Sequence, residues 1–285
     1  MGFNLPMPNG ALFKSCFAAV SLIAGLASAS AQIYYDGAVG LPAGQGWTYF
    51  ATGGTQTLTN NGVLFDTSTA NNFQGGYSRT TVRLNRTNGF ALLFTSQLLA
   101  EAHVSASRAG FSIIMLGDDK RGIELGFWTN NIFAQSDSPL FTRAEETNFT
   151  TTVAVDYTLT FHPTNYVLSA NGIAILSGPV RDYTAFSGFP NPYSSANFLF
   201  LGDDTTSAAG AVLLKKVVLV TAPQLVALSE KLISWAGVSN QTYTVQGSSN
   251  LVNWSVAGIA SSATSNFVFT NNTGASPQFF RVTHP

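Results

Sequence analysis

Between Gln32 and about Val220 the apolar runs are short, and Gly, Asn, Asp or Ser clusters close them. TQTLT (55–59), TTVRLN (80–85), FSIIML (111–116), IELGFW (123–128) and DYTLTF (156–161) are the clearest cases. Short alternating or apolar runs bounded by turn-forming residues specify strands joined by tight turns. The segment NYVLSANGIAILSG (165–178) shows the device plainly. Tyr166 and Leu168 alternate with polar neighbours, Asn171 and Gly172 tolerate positive φ, and Ile173 and Ile175 resume the alternation, which predicts a two-residue hairpin turn. FTSQLLAEAHVSAS (94–107) places Leu98, Leu99 and Ala102 at helical spacing, but strands flank it and a strand with its loop is expected there. Strands without interposed helices over some 190 residues, roughly, bury their apolar faces only by pairing sheet against sheet or closing a barrel. Two facing sheets are expected.

The ends of the chain read differently. Lys14, the apolar stretch CFAAVSLIAGLA (16–27) and the small residues ASA (29–31) form the pattern of a signal peptide cleaved near Ala31. Export to the outside or to the outer cell surface follows from it. The stretch is shorter than the about 20 residues of a spanning helix, so no membrane span is expected in the mature chain. Cys16 is the only cysteine and lies inside this leader, so the mature chain would hold no disulfide and no thiolate-bound metal. At TAPQ (221–224) the chain passes a proline into a shorter series of strand-like runs, LISWAG, TYTVQGSS, FVFTN and QFFRVTH. The expected division is a leader at 1–31, a large β domain at 32–220 and a small Ig-like module at 221–285 with Trp235, Tyr243, Trp254 and Phe279 inside.

Charged residues make up only 9% of the chain, and the 13 basic ones are scattered, at a net charge of −1. Nucleic acid, which needs a concentrated Lys/Arg face, is excluded as a partner. The acids are less evenly spread. MLGDD (115–119) and FLGDD (200–204) are nearly the same phrase, each following an apolar run. Asp side chains bond backbone N–H groups two residues on, so both phrases read as strand-ending turns. A carboxylate pair with nearby carbonyls can also hold Ca²⁺, and for that Asp203 and Asp204 rank ahead of Asp118 and Asp119, which Lys120 and Arg121 flank.

Catalytic patterns are sparse. Adjacent aspartates point to opposite sides of an extended chain, whereas a retaining glycosidase needs two carboxyls about 5 Å apart. Glu124 stands alone in GIELGFW, and the three histidines, His103, His162 and His284, lie far apart. Neither a Gly-x-Ser-x-Gly elbow nor a His-Glu-x-x-His motif occurs. No catalytic residue is assigned, and a non-enzymatic protein is expected.

The stretches GFSIIMLGDDKRGIELGFWTNNIFAQSD (110–137), YVLSANGIAILSGPVRDY (166–183) and FLFLGDDTTSAAGAVLLKKVVL (198–219) resemble the concanavalin A-like lectin/glucanase superfamily of LamG-type jelly rolls, and within it the secreted bacterial "choice-of-anchor" domains. The resemblance implies an all-β fold, a two-sheet antiparallel jelly-roll sandwich, often a carbohydrate-binding or adhesion module. The Glu-x-Asp-x-Glu strand of the family's glucanases is missing here. The tail YTVQGSSNLVNWS…FVFTNNTGASPQFFRV (243–282) resembles fibronectin-III/Ig-like modules.

Sugar recognition needs flat aromatic faces beside amide, carboxylate or guanidinium groups. The loop RDYTAFSGFPNPYSSAN (181–197) supplies Tyr183, Phe186, Phe189 and Tyr193 beside Arg181, Asp182, Asn191 and Asn197. Its rings could equally fold back over one end of the sandwich. In FWTNN (127–131) Trp128 precedes two amides, Asn130 and Asn131. The expected ligand-binding set is Trp128, Asn130, Arg181, Asp182, Tyr183, Phe189 and Tyr193, acting on a glycan or extracellular polymer. Two alternatives stay open: a structural or adhesive surface protein without a small ligand, and a glycoside hydrolase or lyase built from Glu124 and a distant acid.

Overall fold

The computed structural model describes residues 31–87, 89–221, 226–227, 232–236, 242–249, 252–263, 266–271 and 279–283. The leader expected at 1–31 lies, save Ala31, outside the described residues. The strands in chain order are β1 (Ala31–Asp36), β2 (Thr48–Thr52), β3 (Thr55–Thr59), β4 (Gly62–Asp66), β5 (Gln74–Arg79), β6 (Phe90–His103), β7 (Ser112–Leu116), β8 (Gly122–Phe127), β9 (Asn131–Asp137), β10 (Leu140–Asn148), β11 (Val155–Phe161), β12 (Asn165–Ala170), β13 (Ile173–Pro179), β14 (Leu199–Asp203) and β15 (Ala208–Thr221). Six shorter ones follow: β16 (Val226–Ala227), β17 (Leu232–Ala236), β18 (Thr242–Ser248), β19 (Ser255–Ser261), β20 (Asn266–Thr270) and β21 (Phe279–Thr283). The protein is all-β, and its ladders are antiparallel.

Strands β1–β15 form two sheets. One runs β13-β12-β11-β6-β15-β4-β3 with β1 added on β15, and the other runs β10-β9-β8-β7-β14-β5-β2. Between them lies the main core, where Ile113, Met115, Ile123, Leu125, Phe127 and Leu201 of the second sheet meet Phe94, Tyr157, Leu159, Phe161 and Val217 of the first. The second sheet is covered on its outer face as well. Ile114, Leu116 and Phe200 pack there against Tyr183 and Tyr193, so β7 and β8 are buried along their whole length. This is why IIML (113–116) is a continuous apolar run rather than alternating: a strand with no wet face has no place for a polar period.

The hairpin forms as its residues dictate, with Asn171 at φ 50° and Gly172 at φ 83°. A bulge at Ile175, between the pairs Leu168↔Leu176 and Ser169↔Ala174, reverses the alternation beyond the turn. Leu176, opposite Leu168, is thereby buried, while Ile173 at the tip of the hairpin is exposed. The long segment at 94–107 is strand up to His103, with a loop beyond, and β15 pairs along it. TTVRLN (80–85) is not a strand. Its alternation is kept, with Leu84 buried in the core and Val82 packed against it, but its backbone finds no ladder: Leu84 N–H bonds the Asn197 side chain and Leu84 C=O accepts from Asp118 N–H.

Among the described residues strands β16–β21 pair with one another, as β16-β17-β20 and β19-β18-β21. Their core holds Ile233, Trp235, Tyr243, Val245 and Phe267, with Trp235 and Phe267 stacked at 5.5 Å. Two residues expected inside are not. Trp254 is half-buried beneath the Arg281 guanidinium, and Phe279 is exposed; Phe267 holds the central place instead.

Candidate functional site

The outer face of the β10–β2 sheet carries one ionisable residue in its middle. Glu124 on β8 lies opposite Ile114 of β7, which in turn lies opposite Phe200 of β14, so the carboxylate stands in an apolar row. It is fully buried. Arg108, from the loop before β7, places Nη1 3.1 Å from Glu124 Oε1 while its guanidinium covers the Phe141 ring at 4.7 Å. The Tyr193 hydroxyl donates to Glu124 Oε2, and the Asp204 charge acts on the same carboxyl. Asp203 points the other way: Thr205 N–H donates to it at 3.1 Å and the Thr67 hydroxyl sits 2.7 Å away.

Of the three carboxyls, Glu124 is the one in contact with the Arg108 guanidinium. Burial, then the Asp204 charge, push Glu124 up to about 8, outweighing the Arg108 charge and the Tyr193 bond. Burial likewise raises Asp203 to about 8 against its bonds to Thr67 and Thr205. The Arg108 contact by itself would favour the carboxylate. Burial outweighs that contact and holds Glu124 above the ordinary carboxylate range.

Loop 181–197 lies over this row. Its two ends are held by backbone: Arg181 and Gly122 exchange bonds of 2.8 and 3.0 Å, Asn197 N–H bonds Gly117 C=O, and Leu116 N–H bonds Phe198 C=O. Gly122 is required there, since a Cβ would meet Met115 O at 1.8 Å. Between these ties two tyrosines reach down. The Tyr183 hydroxyl accepts from Glu124 N–H at 3.3 Å and donates to Gln135 C=O at 2.7 Å, standing in for a rung of the β8–β9 ladder. Tyr193 ends on Glu124. Phe186, Phe141 and Tyr193 pack edge to face and tilted between the loop and β10.

The expected binding residues therefore part company. Tyr183 and Tyr193 are buried and face inward, because their rings find an apolar sheet to cover and their hydroxyls find backbone and carboxylate partners. Arg181 is also buried, with Nη2 at 2.7 and 2.6 Å from the two oxygens of Glu145. Asn191 and Asn197 hold the loop's own backbone, Asn191 through Tyr193 N–H and Phe186 C=O and Asn197 through Leu84 N–H. Asp182 is partly exposed, bonds Thr184 and lies 3.5 Å from Arg121. Trp128 offers no free face. His103 stacks on it at 3.7 Å and the Arg143 guanidinium lies 4.2 Å from its centroid, too close for both to share one side. Asn130 is exposed, and Phe189 is 101% exposed.

Asp203 and Asp204 do not converge on one point, as adjacent residues of an extended strand cannot. Among the described residues no group of three or more His, Cys, Asp or Glu side chains is placed to hold a metal ion. Sequence reasoning set Glu124 apart but did not find Arg108. The legible signal was a single acid inside an otherwise apolar strand.

The class defined by these observations is an antiparallel two-sheet β-sandwich with a buried glutamate under a loop on one outer face. No protein-family model and no curated protein matches this chain. Among solved structures it is similar to the carbohydrate esterase vb_24B_21 of the Shiga toxin-encoding bacteriophage phi24B, at 11% identity and TM-score 0.48 over 67% of this chain and 99% of that one. It is also similar to the Emp46p carbohydrate recognition domain, metal-free form, at 11% identity and TM-score 0.35 over 61% and 87%. The VIP36 exoplasmic/lumenal domain in its Ca²⁺/Man3GlcNAc-bound form matches at 10% identity and TM-score 0.39 over 65% and 86%. No residue role passes to this chain from matches at this level. No helix among the described residues is long and apolar enough to cross a membrane.

Proposed function

We propose that this is a secreted or cell-surface protein that binds a carbohydrate or other extracellular polymer without cleaving it, using the exposed rim of loop 181–197. On this reading 32–220 is a concanavalin A-like jelly roll, 221–285 an Ig-like module, and 1–31 a leader removed on export. The observation that carries it is Phe189. Its ring is wholly exposed on a loop that buried Tyr183 and Tyr193 pin to the sheet. An exposed ring on a fixed base can meet an apolar sugar face without first being ordered. Asp182 and Arg121, 3.5 Å apart and partly exposed, supply polar partners on the same loop and the neighbouring turn.

A second reading has its own support. The Asp204 charge acts on Glu124, and two neighbouring carboxyls are the groups that acid/base chemistry on a glycosidic bond would use. Glu124 is sealed, however, and its oxygens are occupied by Arg108 and Tyr193.

One experiment addresses both readings. The full chain is applied to an array of polysaccharides, and the supernatants are scored for released sugars. The expected result is retention on at least one polymer, weakened about tenfold (roughly 1.4 kcal/mol) by Phe189→Ala, with no product released. Retention indifferent to Phe189 would overturn the assignment of the rim, silence across the array would favour a purely adhesive protein, and released sugar would make it an enzyme.

A further inference from the structure

Phe189 is not alone on its side of the sandwich. Phe50 on β2 is 41% exposed, and its register places it on the outer face of the second sheet. It lies opposite Gly76 of β5, which lies opposite Gly202 of β14, two residues along from the row Thr48, Ser78 and Phe200. Tyr49, Tyr77 and Leu201, between these positions, turn into the main core. Gly76 and Gly202 carry no side chain, and the Phe200 ring takes the space: a Cβ on Gly76 would meet it at 2.7 Å, one on Gly202 at 3.0 Å. Phe50 stacks on Phe200 at 6.0 Å, and Phe198 stacks on it at 6.4 Å. A ladder of three rings thus runs from the foot of loop 181–197 to the edge strand β2, across two strand spacings or about 10 Å.

We propose that the outer face of β2 and β5 is a second contact surface for the polymer, and that the ligand is an extended, uncharged polysaccharide running from the Phe189 rim to Phe50. The inference rests on the binding function proposed above. Phe50 has a ring backed by Phe200 and a backbone fixed in the sheet, so a sugar face meets it at little ordering cost. Around it stand the groups that sugar hydroxyls need. Thr48 and Thr52 flank it on β2 and are exposed, and Ser78 and Gln74 lie opposite them on β5. Gln74 is held through Nε2 on Asp204 C=O at 2.9 Å, which leaves its Oε1 as an acceptor.

Charge and length narrow the ligand class. Strand β2 holds no charged residue, and Arg79, the charged residue of β5, turns to the other face and covers the Tyr34 ring at 4.0 Å. Residues 184–198 contain no Asp, Glu, Lys, Arg or His. At the foot of the loop Arg181 is taken up by Glu145, and Arg121 lies 3.5 Å from Asp182. Nothing along this track is built to hold the carboxylates or sulfates of an acidic chain, which call for a charged fork. A short sugar could touch only one of the two rings. A chain touches both, and two modest contacts made by one molecule add in free energy. A second copy of this chain pairing along the free edge of β2 is the competing occupant.

The test applies the full chain to immobilised starch, cellulose, mannan and xylan, and to two acidic polymers, alginate and polygalacturonate. Retention is expected on at least one of the first group and on neither acidic polymer, and it should survive about 1 M NaCl. Phe50→Ala is expected to weaken it about tenfold and Phe50→Ala with Phe189→Ala about a hundredfold, while Phe50→Tyr, which keeps the ring, should preserve it. A hexasaccharide of the retained polymer should compete, and its disaccharide at equal mass should not. Urea midpoints of the variants check that each is folded. Retention that needs Phe189 and ignores Phe50 would overturn the second surface and leave the rim standing. Retention confined to the acidic polymers and lost in salt would overturn the uncharged ligand, and a disaccharide that competes as well as the hexasaccharide would overturn the extended one. Silence across the panel would remove the binding function and this inference with it. A dimer in sedimentation that Phe50→Ala dissolves would give the face to a second copy instead.

Discussion

Met115–Asp119 and Phe200–Asp204 share four of five residue types, yet they have opposite surroundings. Their strands, β7 and β14, are antiparallel neighbours, paired Leu199↔Met115 through Gly202↔Ser112. Two like phrases on antiparallel strands end at opposite edges of the sheet. At about 3.4 Å per residue the pairs lie on the order of 20 Å apart, which rules out a site shared between them. Asp118 and Asp119 emerge into a turn among cations, Asp118 at 3.2 Å from Arg83 Nε and Asp119 on Arg86. Asp203 turns into the sandwich onto Thr67 and Thr205, and Asp204 follows on the other side, where its charge meets Glu124 and Arg108. The same dipeptide is a solvated turn in one place and a covered one in the other, and what separates them is what packs over each: cations in a turn on one side, Thr67 and Thr205 around Asp203 on the other.

The largest expected contrast is in stability. Asp203→Ala leaves Thr205 N–H without its acceptor and deprives the Thr67 hydroxyl of a buried partner, and is expected to cost about 2–3 kcal/mol in urea unfolding at pH 7. Asp118→Ala at the other end is expected to cost less than about 1 kcal/mol. Asp203→Asn sharpens the contrast. An acid raised to about 8 is neutral at pH 7, so the amide should stay within about 1 kcal/mol of wild type. Equal losses from the two alanine variants would mean that burial does not separate their environments.

The pH dependence should run in opposite senses. Glu124 and Asp203 are raised to about 8, so the folded state holds their protons more tightly than the unfolded chain. Their contribution is full below the unfolded carboxyl range and falls as pH climbs through it to about 8, with a ceiling of about 1.4 kcal/mol per unit for each proton. Asp119 behaves the other way: slight burial raises it, but the Arg86 bond and the Arg121 N–H more than offset this and hold it below the usual range. Its contribution is present above the unfolded value and is lost as pH falls through the folded one. Urea midpoints from pH 3 to 9 should decline on the alkaline side in wild type and in Asp119→Asn, and decline less in Glu124→Gln. An alkaline limb untouched by Glu124→Gln would remove this acid from the balance.

How much of this the sequence disclosed follows from where each signal is local. Alternation and turn residues are local, so β3, β7, β8, β11 and the Asn171-Gly172 hairpin were legible nearly to the residue. TTVRLN carries the same alternation and is no strand, because a strand also needs a partner of the right register, and that is not written in its own six residues. The loop rich in aromatics was legible as special. The direction in which Tyr183 and Tyr193 face was not, because it depends on an apolar outer face more than fifty residues away in the chain. That face had a trace in the sequence: FSIIML and IELGF lack the polar alternation of a half-wet strand, which says that something covers both sides. A charged residue inside such a run must find partners, and Glu124 finds them in Arg108 and Tyr193.

The smallest expected effect lies at the solvated pair, and it tests the comparison from its quiet side. The Arg83 side chain is 78% exposed where it meets Asp118. An ion pair so placed gains little Coulomb energy in water and gives up side-chain freedom, so Arg83→Ala is expected to cost under about 0.5 kcal/mol. In 1 M NaCl, where charges are screened beyond about 3 Å, even that difference should vanish. Asn85 also donates to Asp118, so the turn keeps a partner when the arginine is gone. A loss above about 1 kcal/mol that persisted in high salt would mean that the first pair is held by more than its turn. The contrast with the covered pair would then be one of degree, with burial no longer its cause.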